Sequence, residues 1–158
     1  MSEEVVIRAF SPEDLEAIYE IERRSFPDPW PKRLFKSYHG SRGVYFLVAT
    51  LDGKIVGYIL GRVERGLGGR LFSTPRMFGH ILNIAVSPEL RRSGIGTRLM
   101  GALESLFGRE GVELVWLEVR ASNLSAQSFY RGLGYRTRGR VSLYYGDEDG
   151  IIMEKDLR

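Results

Sequence analysis

The sequence contains no cysteine, and this absence excludes disulfide bonds, thiolate metal ligands and a cysteine nucleophile. Long apolar runs are missing too, because no stretch approaches the ~20 apolar residues that a membrane-spanning helix needs. The N-terminus begins acidic and lacks the basic-then-apolar order of a signal segment. We therefore expect a cytoplasmic protein that has no membrane partner.

Lysine is scarce, and arginine carries nearly all of the positive charge; the lysines are Lys32, Lys36, Lys54 and Lys155. The formal net charge is only +3, and the arginines are scattered along the chain. Nucleic-acid-binding proteins usually concentrate their basic residues in a patch or stripe. We therefore predict that nucleic acid is not a partner.

The length of 158 residues, with 43% hydrophobic and 27% charged residues, fits one soluble globular domain. The apolar periodicity predicts the order β-α-α-β-β-β-α-β-α-β-β, an α+β fold around a mixed sheet, as a single domain over 1–158. The first helix is predicted over 11–26 with Ser11 as its N-cap. The glycine-rich residues 64–79 are predicted to form a long, mobile loop, and Tyr144 and Tyr145 to lie on the final hairpin.

The stretch "RRSGIG", residues 91–96, joins a predicted strand to a predicted helix. The unpaired N–H groups at a helix N-terminus bind phosphate-sized anions, and Gly94 and Gly96 leave room for close approach. A simple tight turn is the alternative. Leu99 stands where a dinucleotide fingerprint would have its third glycine, and the P-loop lysine is absent, so neither of those sites is predicted.

Glu118 lies in the otherwise apolar strand pattern "LVWLEVR". Strand alternation places it on the same face as Leu114 and Trp116, where an unpaired carboxylate is costly. Two interpretations remain open from these residues alone: an ion pair with an arginine, or a general base whose apolar surroundings raise its pKa toward neutrality.

The segments "NIAVSPELRRSGIGTRLM" and "LEVRASNLSAQSFYRGLGY" together resemble the Gcn5-related N-acetyltransferase (GNAT) superfamily. Arg91, Gly94 and Gly96 match its R/Q-x-x-G-x-G/A motif. The stretches "LEVRASN", "GHILNIAV" and "YYGDEDGIIM" are most similar to the RimI type and to archaeal protein N-terminal acetyltransferases. The resemblance implies a single GNAT-fold domain with a mostly antiparallel central sheet, and acetyl-CoA as cosubstrate.

The resemblance also implies which residues contact acetyl-CoA. The turn at 91–97 would hold the pyrophosphate, and backbone groups of the preceding strand would pair with the pantetheine arm and polarise the thioester carbonyl. Asn123 would contact the cofactor, although it could instead cap its own helix, a role that Ser125 could also fill. The implied cofactor contacts are Ile84, Ala85, Val86, Arg91, Arg92, Ser93, Gly94, Ile95, Gly96, Thr97, Asn123 and Tyr130.

The catalytic roles follow from the same resemblance. Glu118 would be the general base, acting through a water, and Tyr130 would protonate the departing sulfur. His80 would tune or relay protons near Glu118. The alternatives are ordinary packing for Tyr130 and a surface position for His80. A His/Glu pair supplies too few ligands for a specific zinc site, so no metal is predicted.

The acceptor is predicted from the resemblance and from the chemistry of amines. Asp28 and Trp30, in "FPDPWP", would read the first residue of a peptide, and Tyr144 and Tyr145 would line the peptide groove. At pH 7 a lysine amine needs roughly 4.6 kcal/mol to lose its proton, whereas an α-amine needs about 1.4 kcal/mol. One glutamate suits the α-amine better, but lysine stays open. A proline-stiffened surface turn with a packed tryptophan is the alternative for "FPDPWP", and ordinary strand aromatics for the two tyrosines.

The function hypothesis is therefore acetyl transfer from acetyl-CoA to the α-amine of a protein or peptide, ribosomal or nascent chains included. A related enzyme acting on lysine or a small amine is the nearer alternative, and a non-catalytic CoA-binding sensor is an alternative of another class. We expect a monomer or a weak homodimer.

Overall fold

The structure is a computed structural model, and it describes residues 4–66 and 76–157. The helices and strands follow the predicted order. They are β1 (Val5–Ala9), α1 (Leu15–Ser25), α2 (Lys32–Tyr38), β2 (Val44–Leu51), β3 (Lys54–Gly66), β4 (Arg76–Val86), α3 (Ile95–Arg109), β5 (Leu114–Arg120), α4 (Leu124–Gly132), β6 (Arg136–Val141) and β7 (Gly150–Asp156). No helix among these described residues is long and apolar enough to cross a membrane.

The strands form one seven-stranded sheet in the order β1-β2-β3-β4-β5-β7-β6. The β1–β2, β2–β3, β5–β7 and β6–β7 pairs are antiparallel, whereas β4 and β5 are parallel. Asp52 and Gly53 both have positive φ, 48° and 84°, which matches the right-handed twist of the tight β2–β3 hairpin. The predicted α+β fold with a mixed, mostly antiparallel sheet is confirmed.

The chain divides into two compact units. The first comprises the described parts of Met1–Arg62 and Leu82–Leu106, and the second the described parts of Val63–Ile81 and Phe107–Arg158. The apolar face of α1 packs into the core of the first unit, because its large apolar residues recur at helical spacing. That core contains Phe10, Leu15, Ile18, Ile21, Phe35, Phe46, Val48, Tyr58, Leu60 and Ala85. In the second unit the fully buried side of β5 is formed by Val115, Leu117 and Val119.

Three predicted boundaries are wrong. Residues 64–66 and 76–79 belong to β3 and β4 rather than to a loop, because strand pairing there overrides the glycine-rich local pattern. Residues 67–75, the rest of that predicted loop, lie outside the described residues. Ser11 caps a short 3-10 turn at Pro12–Asp14 rather than α1 itself.

The third wrong boundary concerns the final hairpin. Strand β6 ends at Val141, so Tyr144 and Tyr145 lie in the connection 142–149 and not in a strand. Leu143 has a φ of 51°, and its N–H donates to Asp149 Oδ1 at 2.9 Å, which turns the chain out of the ladder.

Candidate active site

His80 and Glu118 meet on one face of the parallel β4–β5 pair. The register places His80 beside Trp116, and the two rings stack with centroids 3.7 Å apart. Glu118 lies two residues beyond Trp116, so strand alternation brings it to the same half-buried face. His80 Nε2 is 2.8 Å from Glu118 Oε2, and each side chain is only 11% exposed. Among the described residues, the basic side chain beside Glu118 is thus a histidine and not an arginine.

Two more side chains extend this contact into a row that we call the Glu118 cluster: Glu64, His80, Glu118 and Tyr144. The Tyr144 hydroxyl donates to Glu118 Oε1 at 3.1 Å. Glu64 Oε1, on β3, lies 3.3 Å from His80 Nδ1. Both oxygens of the Glu118 carboxylate are therefore held in place, and each nitrogen of the imidazole faces a carboxylate. A carboxylate so oriented is arranged to accept a proton.

Glu64 is the one member of the cluster that the sequence does not predict as a site residue. It lies within residues 64–79, which the glycine-rich pattern predicts to be a loop. Strand alternation through "GRVERG" would have pointed to it, had β3 been extended to Gly66.

Tyr144 is positioned by a tightly bonded connection, residues 142–149. Arg120 Nη1 donates to Asp147 Oδ1 at 3.0 Å and to Glu148 Oε1 at 3.2 Å. The Arg120 guanidinium also lies 4.5 Å from the centre of the Tyr145 ring. Burial raises the pKa of Tyr145, and the nearby Glu118 charge raises it further. The pKa of Tyr144 is raised by the same two causes, so both tyrosines stay neutral near pH 7.

Tyr130 is buried on α4, with its ring against Phe129 and Tyr135. Burial raises the pKa of Tyr130, and the proximity of Tyr145 adds to that rise. Its hydroxyl is therefore neutral near pH 7, which is the form that can donate a proton. The predicted acid role requires this form, and it stays a prediction.

Asn123 is the N-cap of α4. Its side chain accepts a hydrogen bond from the Ala126 N–H at 3.1 Å, so the capping alternative describes this side chain and Ser125 does not supply the cap. The predicted contact of Asn123 with the cofactor stays a prediction. Gln127, buried on the same helix, was not predicted; it donates to the Arg120 and Ala121 carbonyls at 3.1 Å and ties α4 to the end of β5.

An exposed turn with free backbone donors lies in the first unit, at residues 91–97. Helix α3 begins at Ile95, and its first-turn N–H groups at Ile95, Gly96 and Thr97 precede the first helical bond, from Arg98 N–H to the Gly94 carbonyl at 3.1 Å. Gly94 has a φ of 90°, and a Cβ added there would have no neighbour within 4 Å. The space in front of the turn is therefore open.

Positive charge stands at the same turn. Arg91, Arg92 and Ser93 are exposed, and Arg91 Nη2 donates to Ser25 Oγ at 3.1 Å, which links the turn to the end of α1. Free N–H donors, a helix N-terminus and two guanidinium groups suit a pyrophosphate. The residues present thus fit the phosphate end of acetyl-CoA.

The end of β4 leads into this turn. The ladder between β4 and β5 pairs residues 78–80 with 114–116 and stops before Ile84, Ala85 and Val86. Gly57 on β3 lies against the backbone there, since a Cβ at Gly57 would be 3.0 Å from the Ala85 carbonyl oxygen. The backbone of 84–86 therefore has the extended form that a strand-like pantetheine arm requires.

The proline-rich segment between α1 and α2, residues 26–31, is called here the acceptor loop. Asp28 is exposed at its centre. Trp30 is half-buried, stacked on Tyr38 at 5.6 Å between centroids, and packs against the core of the first unit. The alternative in which Trp30 is a packed surface residue thus holds for the buried part of its ring. Its role as a wall of the peptide site stays a prediction. Glu22, which was not predicted as a site residue, is a buried carboxylate that accepts a hydrogen bond from the Trp30 N–H. The sequence marks it as a charged residue four positions after Ile18, on the apolar face of α1.

The part of the chain that the structure describes contains no cluster of side chains that could bind a metal ion. No three His, Asp or Glu side chains among residues 4–66 and 76–157 are placed to hold a metal ion. His80 instead lies between Glu64 and Glu118, hydrogen-bonded to Glu118 and 3.3 Å from Glu64 Oε1.

The α+β fold, the turn at 91–97 that suits a pyrophosphate and the half-buried Glu118–His80 contact are the features expected of an acyltransferase that uses acetyl-CoA. The acetyltransferase (GNAT) family profile matches residues 15–135. An uncharacterized N-acetyltransferase of Methanocaldococcus jannaschii is 41% identical over 153 residues, which cover 96% of this chain and 91% of that one. An N-alpha-acetyltransferase of Saccharolobus solfataricus is 36% identical over 149 residues, covering 92% and 89%.

Comparison with solved structures also finds an N-acetyltransferase. The crystal structure of the ribosomal-protein-S18-alanine N-acetyltransferase from Escherichia coli matches with a TM-score of 0.82 and 31% identity, over 98% of this chain and 94% of that one. The chain belongs to the GNAT acetyltransferase family. It is an acyltransferase that uses acetyl-CoA, as the sequence analysis predicted.

Proposed function

We propose that this acetyltransferase modifies the α-amine of protein or peptide N-termini, ribosomal or nascent chains among them, as a single domain over 1–158. Relatives of the chain support this proposal, since one is named an N-alpha-acetyltransferase and another a ribosomal-protein-S18-alanine N-acetyltransferase. The observation that carries it is the Glu118 cluster, a single carboxylate base with an imidazole at 2.8 Å. Such a base suits an α-amine, which loses its proton at roughly 3 kcal/mol less cost than a lysine amine at pH 7.

In the proposed reaction Glu118 takes the proton of the attacking amine through a water. His80 lies next in the row, where its Nε2–H donates to the ionised Glu118 carboxylate and holds it in place, and Glu64 faces the other imidazole nitrogen. Tyr144 keeps the Glu118 carboxylate oriented. Tyr130, neutral because it is buried, donates a proton to the departing sulfur.

Acetyl-CoA, when bound, supplies the thioester whose acetyl group is transferred. The turn at 91–97 would hold its pyrophosphate, and the backbone of 84–86 would align its pantetheine arm. Asp28 and Trp30 on the acceptor loop and Tyr144 and Tyr145 would contact the first residues of the peptide.

The test is to incubate the protein with acetyl-CoA and a mixed peptide library and to locate the acetyl group by mass spectrometry. Each peptide is paired with an α-blocked copy that keeps its lysines. The proposal expects acetylation only of free N-termini. If α-blocking leaves acetylation intact, the acceptor is a side-chain amine and the proposal is wrong.

A further inference from the structure

Glu22 is a buried carboxylate held by neutral donors alone. It is 1% exposed. Its Oε1 accepts the Trp30 N–H at 3.0 Å, and its Oε2 accepts the Asn83 amide at 2.9 Å and the Tyr58 hydroxyl. No ion pair found among the described residues includes it. A carboxylate in this position is expensive to desolvate, and an apolar residue would fill the space at lower cost. The position of its three partners indicates what the carboxylate does.

Glu22 closes the acceptor loop at both ends. Its main-chain carbonyl accepts the Phe26 N–H at 3.1 Å, and its side chain accepts the Trp30 N–H. Asp28 lies midway between these two bonds, with a proline on each side that restricts its backbone. The backbone position of Asp28 is therefore set by a short, stiff segment whose two ends are bonded to one residue.

The same carboxylate joins the loop to the sheet. Tyr58 lies on β3 and Asn83 on β4, two neighbouring strands. Burial and the charge of Glu22 raise the pKa of Tyr58 well above its ordinary value, so its hydroxyl keeps its proton and donates. Asn83 immediately precedes Ile84, where the proposed pantetheine-binding backbone begins. One residue thus fixes the loop that would read the acceptor against the strand that would align the donor.

We propose that Glu22 is a positioning residue for acceptor recognition: it holds the acceptor loop on β3 and β4 and so determines which first residues of a peptide are accepted. This inference rests on the proposed function. Glu22 acts through Asp28 and Trp30 and does not itself touch the substrate. A purely structural role would instead lower stability and weaken every substrate alike.

The test uses Glu22→Gln, which keeps the shape but presents an amide N–H₂ to donors that need an acceptor. Tyr58→Phe is the milder second variant, because it removes one hydroxyl and leaves the ring packing. Glu20→Gln is the matched control, since it makes the same chemical change on α1 at an exposed residue that pairs with Arg23. For each protein, KM and kcat are measured for acetyl-CoA and for peptides that differ only in their first residue.

We expect Glu22→Gln to raise the KM of the preferred peptide about ten-fold, the effect of losing one hydrogen bond to a charged group. The preference among first residues should flatten, while the KM for acetyl-CoA stays within about two-fold of the parent value. Tyr58→Phe should show a smaller change in the same direction. The inference is overturned if the folded Glu22→Gln enzyme keeps the parent preference, or if both substrates weaken equally. Should Glu22→Gln not fold, Tyr58→Phe decides by the same criteria.

Two further measurements separate this inference from the proposed function. In an Asp28→Asn background, Glu22→Gln should no longer change the preference among first residues, because both act through the same loop. Hydrogen exchange of the Trp30 amide, which needs no substrate, should quicken about ten-fold in Glu22→Gln and not in Glu20→Gln. If the parent acetylates no α-amine, the proposed function fails. The exchange result then decides by itself whether Glu22 holds the loop.

Discussion

Removing the Tyr144 hydroxyl should lower kcat, because that hydroxyl fixes the direction of the Glu118 carboxylate. It donates to Glu118 Oε1 at 3.1 Å, and the other carboxylate oxygen lies 2.8 Å from His80 Nε2. A hydrogen bond to a charged group is worth about 1.5–3 kcal/mol, and the lower end applies here because Tyr144 is 48% exposed. Since about 1.36 kcal/mol corresponds to a ten-fold change in rate, Tyr144→Phe should lower kcat about ten-fold.

The assay measures kcat and KM for one peptide at a single pH, with acetyl-CoA saturating. The informative quantity is the ratio of kcat between variant and parent with the same peptide. Tyr19→Phe, on α1, is the control and should leave kcat unchanged. Gly150→Ala should lower kcat in the same way, since its Cβ would lie 2.9 Å from the Tyr144 Cβ and displace that side chain. A Tyr144→Phe enzyme whose kcat stays within about two-fold of the parent value would refute the assignment of Glu118 as a base that Tyr144 orients.

Three other variants have defined outcomes. Tyr130→Phe should lower kcat much more than it changes the KM for acetyl-CoA in initial-rate assays, and full turnover with an unchanged pH profile would contradict the acid role. In alkaline unfolding curves the parent should lose stability as the pH rises above about 10, because unfolded tyrosines ionise while burial holds the pKa of Tyr130 higher; Tyr130→Phe should lose less. Gly94→Ala should lower the free energy of unfolding by about 1–2 kcal/mol in urea titrations and raise the KM for acetyl-CoA, since Gly94 has a φ of 90°. An unchanged KM would contradict the binding of the pyrophosphate at the turn 91–97. Gly79→Ala should lower the free energy of unfolding by about 1–3 kcal/mol, because its Cβ would lie 2.6 Å from the Phe107 ring. An unchanged stability in urea would mean that the ring moves aside freely.

The predictable parts of the site are those formed by residues that are close together in the sequence. The turn at 91–97 is one, because Gly94, with its positive φ, and the start of α3 are consecutive residues. Glu118 is another, since strand alternation alone assigns it to the face of Leu114 and Trp116. The element order could likewise be predicted, because hydrophobic periodicity is a local property.

The parts that could not be predicted depend on residues far apart in sequence. Glu64 was assigned to a loop, and only the pairing of β3 and β4 makes it a strand residue that faces His80 at 3.3 Å. Glu22 is marked in the sequence only as a charged residue on the apolar face of α1, and its partners Tyr58 and Asn83 are 36 and 61 residues away. Tyr144 was expected on a strand, yet it reaches Glu118 from a connection that Asp149 turns out of the ladder.

The sequence by itself determined the family, the glycine-rich turn at 91–97 and the place of Glu118 on a strand face, because local spacing and backbone chemistry specify these features. The tertiary structure alone decided which groups surround the Glu118 carboxylate and which residue is bonded to both ends of the acceptor loop. Hydrogen bonds between neighbouring strands bring together side chains that no local period relates, and burial then makes their few polar contacts strong and specific.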